Sequence, residues 1–366
     1  MRLHVVSLPH TQTTRKYLHC AFTQNVVKFC DMMTAEGHEV ILYSGDENEA
    51  KCSEHVQLVD EEWRVEHFGA WDTNSTFGYM SWEPDSPAWA HFNAKAVAAI
   101  SERAEPRDTV CIFSGMAQWP IGPALPDLLT IEAAVGYNGF VPNMLHVFPS
   151  YAWMNYLYGG AGIGTARAFD AVIPHYFDPC DFMPLARKHG GDDYLLFIGR
   201  ITAGKGPKVA AEIAKRMNMR LVVAGPGAVE VDGKVIGEGV ELEGVEYAGP
   251  VDWAERASLM TDAAATLVPT QYIEPFGAVA VESMMCGTPV VSTDWGAFVE
   301  TVTPGVTGYR FRTLAEGVQA TTNALDLDRL GVRQHAEEHY SLSAIGPRYT
   351  EAIEKMQSLY GTGWYS

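Results

Sequence analysis

Strand-like and helix-like segments alternate along this chain in two successive rounds, and that alternation limits the fold more than any other feature. In the first round, residues 2–8, 39–43 and 109–113 read as strands, and 17–37 and 88–103 as helices. The second round is cleaner. Residues 194–199, 220–224, 266–269, 289–293 and 308–311 read as strands, with helices at 208–217 and 254–263. Such alternation implies parallel sheets covered by helices on both faces. Two rounds imply two Rossmann-like domains that bind ligands at the carboxyl ends of their strands. The boundary is expected between 175 and 191, where Pro179, Pro184 and Gly190-Gly191 fall. Helices at 314–325, 328–339 and 344–359 close the chain.

Charge and cysteine usage narrow the partners. The formal net charge is −19; the first 170 residues balance at −10 and the remainder at −9. Neither half is basic, which disfavours broad binding to nucleic-acid phosphates but leaves room for a small basic cleft. No apolar run approaches ~18 residues, so no membrane span is expected. Met1 to Val6 enters a strand directly, without a signal-peptide pattern. Cys20, Cys30, Cys52, Cys111, Cys180 and Cys286 have no paired spacing. A cytoplasmic protein with reduced thiols is the expectation, and the sequon Asn74-Ser75-Thr76 would then be idle.

The chemistry concentrates in Glu274-Pro275-Phe276-Gly277-Ala278-Val279-Ala280-Val281-Glu282. Two carboxylates flank a glycine at the start of a helix that Gly287 would cap. A glycine there lets a ligand approach the backbone. Free N–H groups and the helix dipole favour an anion such as a diphosphate. Glu282 lies five residues further on, roughly 7 Å along the helix axis. That is the reach from a phosphate to a ribose, whose hydroxyls a carboxylate accepts. Glu274, before the helix, is placed to accept from a sugar on the diphosphate. The plainer reading makes Glu274 a dipole partner and Glu282 a solvated surface residue.

A second constellation supports the first. The segment 195–199 runs into Arg200-Ile201-Thr202-Ala203-Gly204-Lys205-Gly206. Arg200 leaves the carboxyl end of a strand, and Lys205 follows a short glycine-bearing turn. Two cations on one loop offset the charge of a leaving diphosphate without a metal. An ordinary solvated loop is the alternative. Asp326-Leu327-Asp328 sits between two helices, away from these motifs, and reads as a solvated junction. Gly160-Ala161-Gly162-Ile163-Gly164 follows aromatic residues and no clear strand, which argues against a nicotinamide dehydrogenase.

With Cys286-Gly287-Thr288-Pro289-Val290-Val291, Gly296-Ala297-Phe298-Val299-Glu300 and Gly305-Val306-Thr307-Gly308, these motifs make residues 194–308 resemble the donor-binding domain of retaining GT-B glycosyltransferases. The resemblance implies an α/β fold of two Rossmann-like domains facing across a cleft. It divides the chain into an acceptor domain at 1–178 and a nucleotide-sugar domain at 179–340, with a C-terminal helix, 341–366, crossing back to the first. It implies a retaining, metal-independent transfer of a hexose from a nucleotide-diphosphate sugar, most often UDP-linked, to an acceptor hydroxyl. By that similarity Arg200 and Lys205 contact the donor phosphates. Glu274 binds the donor sugar, Phe276-Gly277-Ala278 present backbone amides, and Glu282 holds the ribose. No cofactor is implied beyond the donor substrate.

The first half departs from the family. A glycine pair usually follows the first strand; here the loop is Pro9-His10-Thr11-Gln12-Thr13-Thr14, with Arg15 and Lys16 behind it. Thr11, Thr13 and Thr14 are expected to take over donor or acceptor contacts. A histidine often lies near the reacting sugar in such enzymes, which makes His10 and His146 the candidates. The acceptor stays open: a glycan or small molecule first, a hydroxymethylated DNA base as the alternative. Trp63, Trp71, Trp82, Trp89, Trp119 and Trp153 all lie in this half, and exposed aromatics stack on sugars or bases. A sugar-nucleotide epimerase and a non-catalytic nucleotide-sugar binder on the same fold are the readings from other classes.

Overall fold

A segment such as Tyr194-Leu195-Leu196-Phe197-Ile198 has no polar side to turn to water, so it is stable only when both faces are covered. In the computed structural model all five residues are buried. The structure describes residues 1–17, 20–71, 83–142, 144–165, 167, 169–182 and 194–359. Asn74, Trp82 and Gly190-Gly191 lie outside the described residues. The chain divides into two compact units. It passes from the first to the second at Tyr176/Phe177 and returns at Ser341/Leu342.

The first unit holds strands β1 (Arg2–Val6), β2 (Glu39–Ser44), β3 (Glu54–Gln57), β4 (Thr109–Ile112), β5 (Leu129–Glu132), β6 (Leu145–Phe148) and β7 (Ala171–Val172). They form one sheet in the order β3-β2-β1-β4-β5-β6-β7, and every pairing is parallel. Helices α1 (Ala21–Ala35), α2 (Glu61–Phe68), α3 (Pro87–Ser101), α4 (Ile121–Ala124) and α5 (Tyr151–Gly160) belong with it.

The second unit is built on β8 (Tyr194–Ile198), β9 (Arg220–Ala224), β13 (Glu246–Gly249), β14 (Ala265–Val268), β15 (Val290–Thr293) and β16 (Gly308–Phe311). Its sheet order is β13-β9-β8-β14-β15-β16, again wholly parallel. Between β9 and β13 the crossover is an antiparallel meander of β10 (Ala228–Val231), β11 (Lys234–Gly237) and β12 (Val240–Glu243). The helices are α6 (Pro207–Met217), α7 (Trp253–Asp262), α8 (Ala278–Met285), α9 (Phe298–Thr301), α10 (Leu314–Ala324) and α11 (Arg329–Tyr340). In this order β8 pairs β9 on one side and β14 on the other. The chain therefore reverses direction across the sheet at β8/β14, the switch point where loops diverge and leave a crevice.

The last helix, α12 (Leu342–Leu359), belongs to the first unit. Ile345, Tyr349, Ile353 and Met356 lie on one helical face and enter the core shared by β1, β2, β4 and α1. The Tyr349 hydroxyl donates to the Ala133 carbonyl at 2.8 Å. None of the described helices is long and apolar enough to cross a membrane, and all six cysteines are free.

Candidate functional site

The loops leaving β8 and β14 are locked together before any side chain is considered. Gly206 has φ +78°, and a Cβ there would sit 2.1 Å from the Pro269 carbonyl oxygen. Only glycine fits. The Gln271 N–H donates to the Gly204 carbonyl at 2.8 Å. This junction brings Lys205 and Glu274, 69 residues apart in sequence, into one ion pair with Nζ 2.8 Å from Oε2. The Thr270 hydroxyl reaches the same carboxylate oxygen at 3.5 Å. The ammonium also stands 5.0 Å from the centre of the Tyr272 ring. Burial opposes the charge on Lys205, but Glu274 and Tyr272 outweigh it and raise the pKa above the usual lysine value. Lys205 is therefore a cation at any ordinary pH. Arg200, at the carboxyl end of β8, is exposed, with its side-chain stem lying along Gly227. The structure thus brings Lys205 together with Glu274 and leaves Arg200 open to solvent on the same loop.

Gly277 is the N-cap of α8 in the left-handed conformation, φ +79°. The reason for the glycine differs from the expectation. The space a Cβ would fill is taken by Phe298, whose ring carbon would be 2.4 Å away. Close packing of the Gly296–Glu300 segment demands glycine here. The Ala297 N–H donates to the Glu274 carbonyl at 3.0 Å, so that segment also fixes the backbone of Glu274. Phe276 is buried, stacked on Phe177 and edge-on to Tyr340. Its side chain is core. Ala278 and Val279 open the helix, where backbone N–H groups have no intrahelical partner.

Glu282 lies on α8 as expected and is almost buried. The sequence reading missed its partner. Arg256, on α7, donates Nε to Glu282 Oε2 at 2.8 Å and donates Nη2 to the same oxygen. Both bonds end on Oε2. Nothing in the spacing of α7 marked Arg256: it reads as one more charge on an exposed helix, four residues past the Asp252 cap.

In the first unit the expected contacts are differently used. The Thr11 hydroxyl bonds to that of Thr23 at 2.6 Å, and Thr13 to Ser7 at 2.7 Å. Thr14 is buried, and its carbonyl accepts from Gln24. Gln12 bridges Asp46 and Glu61. These hydroxyls hold the β1–α1 loop to its own neighbours. His10 is buried against Phe68 and Trp89, with Nε2 3.6 Å from Cys20 Sγ. Burial, assisted by the charge of Arg64, pushes its pKa down to about 3, so the ring is neutral. His146 is wholly enclosed on β6. Nδ1 meets Asp170 at 2.9 Å, Nε2 meets the Val141 carbonyl at 2.9 Å, and Glu132 Oε2 is 3.3 Å from Nε2. Both ring nitrogens are committed to partners within the first unit. Residues Gly160 to Gly164 end a helix and follow no strand, in keeping with their rejection as a dinucleotide loop.

Beside the β8 and β9 carboxyl ends lies a cavity of about 670 Å³ walled by Thr202, Gly227, Val229, Ile236, Glu238 and Pro250. Among the described residues no group of three or more His, Cys, Asp or Glu is placed to hold a metal ion.

Two parallel, doubly wound units with the C-terminal helix returned to the first are the architecture of the GT-B glycosyltransferases, and solved structures of that fold superpose along the whole chain. AviGT4, a glycosyltransferase involved in avilamycin A biosynthesis, matches with a TM-score of 0.68 at 22% identity over 98% of each chain. Sucrose-phosphate synthase from Thermosynechococcus elongatus gives 0.67 at 16% identity, covering 98% of this chain and 99% of that one. Anabaena HepE in complex with UDP and glucose gives 0.63 at 13% identity, covering 97% and 100%. Residues 184–320, which carry the site, match the model of the family Glycosyl transferases group 1. The D-inositol 3-phosphate glycosyltransferase of Nocardiopsis dassonvillei is 32% identical over 164 residues, 39% of this chain and 38% of that protein. The chain thus spans well under half the length of the curated relatives it matches.

Proposed function

We propose that this protein is a retaining glycosyltransferase that moves a hexose from a nucleotide-diphosphate sugar, a UDP-sugar first, to the hydroxyl of a glycan or small molecule. The observation that carries the reading is the Lys205–Glu274 pair at the switch point of the second sheet, one residue-loop away from the open end of α8. Arg200, Lys205 and the α8 amides neutralise the diphosphate, a role that needs no metal. Glu282 Oε1 accepts from the ribose, and Arg256 holds the carboxylate in place. Glu274, released in part from Lys205 by the phosphates, accepts from the sugar hydroxyls.

In this mechanism the bond from the anomeric carbon to the diphosphate breaks first. The acceptor oxygen attacks the same face, and its proton passes to the departing phosphate oxygen. Catalysis rests on positioning and charge stabilisation. UDP bound in HepE supports the choice of nucleotide. The acidity of both halves favours a neutral acceptor over DNA.

The test is a panel of UDP- and GDP-sugars, read first by thermal shift and then by hydrolysis and transfer to simple glycosides, with and without a chelator. Turnover of one donor that survives chelation is the expected result. A protein that neither binds nor turns over any member of the panel is not a glycosyltransferase.

A further inference from the structure

β16 is the last strand of the second sheet, and its side chains alternate between two faces. Tyr309 and Phe311 turn to the core that holds Ile213 of α6 and Ala320 of α10. Arg310 therefore points to the opposite side, where it is mostly covered, with 21% of its side chain exposed. Nε donates to Asp294 Oδ1 at 2.9 Å. Nη1 donates to the Val299 carbonyl at 3.2 Å and to the Val302 carbonyl at 2.5 Å. Val299 lies on α9 and Val302 is its C-cap. The last carbonyls of a helix have no intrahelical partner, and here one guanidinium serves them. Arg310 thus ties both ends of the segment 294–302 to β16.

Between those ties lies the turn that abuts Glu274. The Ala297 N–H donates to the Glu274 carbonyl at 3.0 Å. Gly296 has φ +60°, and a Cβ there would sit 2.7 Å from the Glu274 nitrogen. Glu274 in turn places Oε2 2.8 Å from Lys205 Nζ. Short contacts therefore run without a break from the guanidinium to α9, from the turn to the Glu274 backbone, and from its carboxylate to the ammonium. Arg312 also reaches Asp294, but differently. It is 67% exposed, and both of its side-chain bonds end on Asp294, at Oδ2 and at the carbonyl, each 3.1 Å long. Burial opposes the charge on Asp294, but the bonds from Arg312 and Arg310 outweigh it and hold its carboxyl below the ordinary value.

We infer that Arg310 is a positioning residue for Glu274. By holding Asp294 and the two α9 carbonyls, it fixes the 296–298 turn against the Glu274 backbone and so sets where the carboxylate stands. This role rests on the glycosyltransferase reading above. Without the guanidinium the segment keeps its apolar anchors, Phe298 and Val302, so it stays folded but is free to shift. A displacement of ~1 Å beside a reacting centre costs up to about 100-fold in rate. A lysine keeps the charge but not the planar fork that reaches several acceptors at once.

The test is steady-state kinetics of the full chain with the UDP- or GDP-sugar of the panel above that the unaltered protein turns over, beside titration with UDP or GDP. Arg310→Met is expected to lower kcat about 10- to 100-fold, with KM for the donor and nucleotide affinity unchanged. In a Glu274→Gln background the same change should cost no further turnover, because residues that act through one group do not add. Arg310→Lys should lie between Arg310→Met and the unaltered protein, and it gives the same reading if the methionine variant does not fold. Arg312→Met should stay within about twofold, as for an exposed ion pair. A merely structural role would lower the melting temperature and leave the kcat of the folded protein alone. Unchanged kcat in both Arg310 variants, a loss confined to nucleotide affinity, an equal loss in Arg312→Met, or full additivity with Glu274→Gln overturns the inference while the glycosyltransferase reading stands. Failure of the unaltered protein to turn over any member of the panel removes both.

Discussion

The two units use one topology and spend their loop residues in opposite ways. In the second unit the chain leaves β8 and β14 through backbone that is pressed together at Gly206 and Pro269. Side chains are left over for solvent or ligand: Arg200, Lys205 with Glu274, and one oxygen of Glu282. In the first unit the chain leaves β1 through a loop with no glycine. Ser7, Thr11, Gln12 and Thr13 then satisfy one another and their neighbours. A backbone that packs by itself frees its side chains for chemistry, whereas a backbone propped by side chains consumes them.

The largest effect should come from the second unit. Glu274→Gln removes the charge that faces Lys205 and, in the proposed mechanism, the donor sugar. Turnover is expected to fall about 100- to 1,000-fold, the range seen for losing one group that stabilises a transition state. Nucleotide affinity by titration should change little. A loss confined to nucleotide affinity would move Glu274 out of the sugar site.

Gly277→Ala comes next. It adds left-handed strain and an overlap with Phe298, which together destabilise the second unit by about 3 kcal/mol. The measurement is chemical unfolding, and an unchanged midpoint would contradict the packing described. Glu282→Ala should weaken UDP binding about 10-fold, as for one hydrogen bond to a charged group. Undiminished affinity would leave Glu282 as only the partner of Arg256.

The same tests should separate the first unit. Thr13→Val leaves Ser7 without its partner and is expected to lower stability by about 1 kcal/mol. Donor affinity should be unaltered. Weaker donor binding without loss of stability would restore Thr13 to the site.

Acid should divide the units as well. The folded His10 titrates near 3, below the ordinary 6.5. The unfolded chain therefore takes up the proton first as pH falls. The stability from a neutral buried ring is present above about 6.5 and is lost progressively below it, by about 2 kcal/mol at pH 5. Lys205 behaves in the reverse sense. Its folded value is raised, so its contribution is complete throughout the neutral range and disappears only in strong alkali. Thermal melts from pH 7 to pH 5 should shift less in His10→Gln than in the unaltered protein.

Much of the second unit was legible in the chain because its constraints are local. The strand at Arg220–Ala224 and the strand at Gly308–Phe311 fall where the apolar runs placed them, and α8 begins at the residue after Gly277. The meander was not legible. Ala228–Val231, Lys234–Gly237 and Val240–Glu243 are short, charged on one face and rich in turns, so no single segment stands out until the three are paired. In the first unit β3 and β5–β7 passed unread, being two to four residues long. The helix at Tyr151–Gly160 was masked by its aromatics. His146 looked available because its partner Asp170 lies 24 residues away.

By itself the sequence determined the class of fold, the donor-side motifs and the two glutamates on either side of a helix start. Periodicity and glycine placement act over a few residues, and a linear reading captures them. Only the tertiary structure decided how those groups are paired: Lys205 with Glu274, Arg256 with Glu282, Phe298 against Gly277, and the first-unit hydroxyls with each other. Burial and hydrogen bonding join residues that the chain keeps tens of positions apart, and those partners decide which polar groups remain for a substrate.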